Sequence, residues 1–131
     1  MIDVETYIFN AVYDEVAALC ARNGFKSIST PNPTVFPTVT LFEMDNRTDY
    51  RRESTMQGED YAILTYEAHV YALTKNECRK VFKALDDGLV SLNLTRMSGA
   101  YSPSQTNTKV HEYVARYRVE TDSEGNLYRT S

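Results

Sequence analysis

The chain has 131 residues, no internal repeat, 42% hydrophobic residues and 24% charged ones, which specifies one domain (residues 1–131) with a sizeable core. A net charge of −4 and a pI near 5.2 exclude a general nucleic-acid binder, which would carry a basic stripe. The start, Met1-Ile2-Asp3-Val4-Glu5, lacks a basic and then apolar leader, and no apolar run approaches the roughly 20 residues of a membrane span, so neither a secretory signal nor an anchor is expected.

Residues 3–22 read as a helix, with Asp3 as N-cap and Ile8, Val12, Val16 and Leu19 as the apolar stripe. Tyr7, Phe9 and Tyr13 widen that surface beyond one stripe, so the helix is expected to touch more than its own core. Asn23-Gly24 supplies a left-handed stop. Phe25 to Ser29 is a candidate short strand. Pro31, Pro33 and Pro37 then forbid regular pairing and make an extended connector. Thr38 to Met44 is a strand with Val39 and Leu41 on one face and Phe42 and Met44 on the other, which implies cover on both sides or a neighbouring subunit on one.

The segment 45–60, DNRTDYRRESTMQGED, is polar, charge-dense and without a core pattern. It reads as a long hairpin loop, either a solvated tip or a contact arm that orders on assembly. Arg47, Asp49, Tyr50, Arg51, Arg52 and Glu53 are its candidate subunit-contact residues, since Tyr and Arg are enriched at interfaces.

From Tyr61 to Leu73 the chain alternates. Ala62, Leu64, Tyr66, Ala68, Val70 and Ala72 face one way, and Thr65, Glu67 and His69 the other. The small alanines leave room for a helix. That helix follows at once: Thr74 and Glu77 form a capping box, and Cys78, Val81 or Phe82, Leu85, Leu89 and Leu92 form the buried stripe. Leu94 to Tyr101 is a strand and 102–108 a polar turn. Lys109 to Thr121 is the last long strand, with His111, Tyr113, Ala115, Tyr117 and Val119 on its apolar face. After a turn at 122–126, Leu127 to Ser131 reads as a flexible tail or a short strand pairing with a neighbour. The order α, β, β, β, α, β, β with two hairpins predicts an α+β fold: a mostly antiparallel β-sheet with two helices on one face.

Chemistry-bearing residues are sparse. His69 and His111 each read as isolated on a strand, without clustered ligands, and therefore as structural rather than metal-binding. Cys20 and Cys78 lie on predicted helices and read as reduced core residues. Asp86 and Asp87 diverge by about 100° around a helix and cannot share one proton. The chain carries neither a phosphate-cradling glycine loop nor an RNA-recognition signature, because the tyrosines of the last strand share its core face. Asn46-Arg47-Thr48 and Asn93-Leu94-Thr95 match the glycosylation pattern, which has no use without secretion. No catalytic, cofactor or metal residues are assigned, and no enzymatic activity is expected.

Element order and texture carry a resemblance. An N-terminal helix leads through a Pro-rich connector to the strand Pro37-Thr38-Val39-Thr40-Leu41-Phe42-Glu43. A charged hairpin, the strand Thr65-Tyr66-Glu67-Ala68-His69-Val70-Tyr71-Ala72, the helix segment Glu77-Cys78-Arg79-Lys80-Val81-Phe82 and the final strand Tyr113-Val114-Ala115-Arg116-Tyr117-Arg118-Val119 follow. Over residues 1–121 this resembles the tail terminator and tail-completion proteins of long-tailed bacteriophages, also called minor capsid or head–tail joining proteins. The resemblance implies a non-enzymatic virion protein, assembled in the host cytoplasm and placed at the head–tail junction. It implies a homo-oligomeric ring, usually of six subunits, that stops polymerisation of the tail tube and docks the head-completion or connector protein. It further implies double-stranded DNA passing through the lumen without sequence-specific binding, which an acidic surface would favour. The same scaffold would serve another head–tail connector or a tail-tube subunit. A small ligand-binding module remains the non-virion alternative.

Overall fold

The computed structural model describes residues 2–28, 33–48, 61–103 and 109–129. Its elements are α1 (Glu5–Ala17), β1 (Phe25–Lys26), β2 (Thr38–Thr48), β3 (Tyr61–Ala72), α2 (Lys75–Ser91), β4 (Thr95–Pro103), β5 (His111–Asp122) and β6 (Leu127–Tyr128). The strands form one sheet in the order β1-β2-β3-β5-β4, with β6 added to the end of β5. Among the described hydrogen-bonded strand pairs, only β1–β2 is parallel. Because β5 runs antiparallel to both its neighbours, β3 and β4 are parallel, and α2 is the crossover that joins them. The expected α+β architecture is present.

The core forms where the period-2 pattern of β3 meets helical stripes. Ala62, Leu64, Tyr66, Ala68, Val70 and Ala72 are all buried, and so are their β5 partners Val119, Tyr117 and Ala115. Tyr66 and Tyr117 sit side by side in this register with no solvent exposure. A buried phenol needs a partner for its hydroxyl. Tyr66 donates to Glu43 Oε1 at 3.2 Å and Tyr117 to Asp86 Oδ1 at 2.6 Å. Burial, then the neighbouring carboxylates, pushes both phenols well above their ordinary pKa.

α2 closes over this layer as its pattern predicts. Thr74 Oγ1 accepts from the Glu77 amide at 3.1 Å, and Cys78, Val81, Phe82, Leu85 and Leu89 are buried. α1 is shorter than its sequence reading. Its N-cap is Val4, which provides no side-chain cap, while Asp3 Oδ1 accepts from the Glu5 amide at 3.2 Å. The helix ends at Ala17, so Cys20 falls in the following turn, and Asn23 takes the left-handed stop at φ 59°. Gly24 serves a different need: a Cβ there would lie 2.7 Å from the Pro37 carbonyl oxygen. This close approach allows Ala21 N–H to reach Pro37 O and Val39 N–H to reach Gly24 O, which anchors the two-residue β1 beside β2. Gly88 plays the same part between helices, with a Cβ position only 2.8 Å from Val12 Cγ1.

β2 is longer than predicted and runs on to Thr48. The register against β3 shifts between Glu43 and Asp45, leaving Met44 as the extra residue of a bulge. A bulge breaks the period-2 pattern. Beyond it the even positions face the core side, and Asn46 is accommodated there because its Nδ2 donates to Ile2 O at 2.8 Å. Residues 45–48 therefore belong to a strand and not to the charged loop. β6 pairs with β5 of its own chain.

Candidate interaction surfaces

Both helices pack on the core face of the sheet, so the opposite face is the first surface to consider. There the register aligns Thr38, Thr40 and Phe42 of β2 with Tyr71, His69 and Glu67 of β3, and these with Glu112, Val114 and Arg116 of β5. His69 Nε2 lies 2.5 Å from Glu67 Oε1, and Nδ1 lies 2.9 Å from Glu112 Oε2. Arg116 Nε donates to Glu67 Oε2 at 3.2 Å. The rings of Phe42 and Tyr71 lie nearly parallel to the imidazole, with centroids 6.1 Å and 6.0 Å from it. Burial, then Glu112, raises the Tyr71 phenol pKa.

The expectation of an isolated His69 is thus corrected. Glu67 was legible as a same-face neighbour two positions away, whereas Glu112 comes into reach only through the β3–β5 register. Each carboxylate faces a different ring nitrogen. The two do not converge on a common point, and among the described residues no three His, Cys, Asp or Glu side chains gather as a metal site. The cluster locks β3 to β5 across the open face.

The sheet edges differ. On the β2 side, β1 covers only Val39 and Thr40. Farther along, Glu43 N–H donates to Glu5 Oε2 at 2.6 Å. Asp3, Glu5, Glu43 and Asp45 make this rim acidic. Burial is the main cause of the raised Glu43 pKa, and Glu5 and Asp3 add to it. Met44 stands on the bulge with 42% of its surface exposed. The opposite edge, β4, also carries a bulge, between Arg96 and Ser98, and its extra residue Met97 is exposed as well.

Beside β4, α2 and β5 border an open groove of about 780 Å³. Phe82 and Tyr113 form its aromatic floor, with ring centroids 4.0 Å apart. Lys75, Arg79, Lys80 and Lys83 line it from α2, and Arg96 from β4. The Arg96 guanidinium lies 5.9 Å from the Phe82 ring centroid and 3.5 Å from Asp86 Oδ1.

No protein-family model matches the chain, and no curated protein matches it. Among solved structures, a chain of the virion of a native gene transfer agent (GTA) particle is similar, with a TM-score of 0.60 and 16% identity, over 84% of this chain and 90% of that chain. The two share a fold.

Of the six candidate contact residues, Arg47 lies on β2 with a largely exposed side chain paired to Asp45 Oδ2 at 2.7 Å. Asp49, Tyr50, Arg51, Arg52 and Glu53 lie outside the described residues. The aromatic flank of α1 is partly used within the molecule: Phe9 and Tyr13 pack on Phe25 at 4.4 Å and 5.7 Å, while Tyr7 stays exposed. Both thiols are pushed up to about 11, chiefly by burial, which disfavours the nucleophilic thiolate. Sequence reasoning missed the basic groove, because its cations are spread over α2 and a separate strand. No helix among the described residues is long and apolar enough to cross a membrane.

Proposed function

We propose that this chain is a structural virion subunit, and within that class a tail terminator. Copies form a ring, six in number, at the head-proximal end of a tail tube. The ring stops tube polymerisation and presents a docking surface to the head-completion protein, with DNA passing through its lumen. The observation that carries the reading is the fold shared with a virion chain across nearly the whole of both polypeptides. The two unlike edges support it, because a closed ring needs a heterologous contact between different surfaces of one subunit. Arg47, exposed near the end of β2, is assigned to that contact.

Removing the protein from particles that normally contain it tests the proposal. Electron microscopy should then show tubes of uncontrolled length and heads without tails. Tails of normal length joined to heads would refute the terminator role. Loss of the tubes themselves would instead identify a tube subunit.

A further inference from the structure

We infer that copies of this chain join head to tail by a methionine key in a basic groove: Met44, raised between Glu43 and Asp45, enters the α2–β4 groove of the next copy. The inference rests on the ring reading above and names its contact.

The key is a product of the bulge. An extra residue in an edge strand re-aims its side chain and ends regular pairing. Here that residue is an exposed thioether on a strand whose preceding residues 38–41 are buried. Carboxylates flank it on both sides, Glu43 accepting from the Tyr66 hydroxyl and Asp45 paired with Arg47, and Glu5 stands within hydrogen-bond reach of the same backbone. Such a tip is apolar at the centre, and its shoulders carry more carboxylates (Glu5, Glu43, Asp45) than cations (Arg47).

The groove has the inverse pattern. Its floor is two stacked aromatic rings, which favour a sulfur contact. Its walls carry five cations and one carboxylate, Asp86, which pairs with Arg96. Among the described residues, neither Arg79 nor Lys80 has an ion-pair partner, and both are exposed. Carboxylates arriving beside Met44 would supply one. A second copy is the favoured occupant because both halves of the match are on this chain.

Position completes the argument. Key and groove lie on opposite edges of one sheet, near β2 and β4 respectively. Two copies therefore cannot satisfy each other reciprocally. Each contact leaves one key and one groove open, so assembly continues until it closes on itself.

The test uses two full-length variants. Met44→Lys disables the key, and Arg79→Glu with Lys80→Glu disables the groove. All three positions are exposed, and circular dichroism with a melting curve checks that each variant folds. Wild type, each variant and a 1:1 mixture are measured by native mass spectrometry and light scattering. Wild type should form closed oligomers and each variant should stay monomeric. The mixture should stop at a dimer, since only one intact key meets one intact groove. Variants that assemble like wild type would overturn this contact while leaving the virion reading standing. A wild-type monomer at every concentration, or a mixture that builds the full oligomer, would also overturn it. The virion reading itself falls only with the particle experiment above.

Discussion

Gly88→Ala tests a close approach between the two helices. The added Cβ would sit 2.8 Å from Val12 Cγ1 and 3.4 Å from Val12 Cβ. Carbon atoms prefer about 3.5–4.0 Å, so the nearer pair overlaps by about 0.7 Å or more. Val12 is 3% exposed and has little room to retreat. A β-branched side chain in a helix is also held in one rotamer. Overpacking of this kind costs about 1–3 kcal/mol. Alanine regains about 1 kcal/mol over glycine in a helix interior. The net expectation is a loss of about 1 kcal/mol, or about 3–4 °C in melting temperature for a domain of this size. Urea midpoints read it directly, and Val12→Ala supplies the control. With the valine trimmed, Gly88→Ala should no longer destabilise, so the double variant loses less than the sum of the single ones. Stabilisation by about 1 kcal/mol in the wild-type background would mean that α1 does not press on α2 at this point.

Three further outcomes follow from the core and the acidic rim. Leu85→Ala removes a fully buried side chain from the α2 stripe and should cost about 2–5 kcal/mol; an unchanged denaturant midpoint would mean that the helix is turned differently. Thr40 is 1% exposed and its hydroxyl has no hydrogen-bond partner among the described residues, so Thr40→Val should stabilise by about 1 kcal/mol in urea unfolding, and a loss of that size would show that the hydroxyl is satisfied. Glu43 has a folded pKa raised above the ordinary 4.5, so its contribution is present below that value and is lost as pH rises through the folded one. Glu43→Gln should therefore gain stability relative to wild type as pH rises through that window and match its trend below it. A difference that does not vary with pH would remove the assigned burial effect.

Much of the fold was legible because two periods were clean. The even positions from Ala62 to Ala72 and the stripe from Cys78 to Leu89 each keep one face, and each element forms where its pattern placed it. The reading faltered where local geometry departs from a period. The bulge at Met44 shifts the alternation, so residues 45–48 looked like loop although they pair with β3. At α1, the stripe residue Leu19 suggested a longer helix, but the chain leaves the helix after Ala17 to bring Gly24 against Pro37. Surfaces were harder still. Glu112 reaches His69, and Arg96 joins the α2 cations, only through strand pairing and the crossover, which no short-range pattern encodes.

Electron microscopy of purified, gold-labelled protein mixed with assembled tail tubes tests the central claim most directly. The account predicts a closed ring bound at one end of each tube, the end that meets the head, and no further tube growth there. Label spread along the tube wall, or absent from both ends, would contradict it.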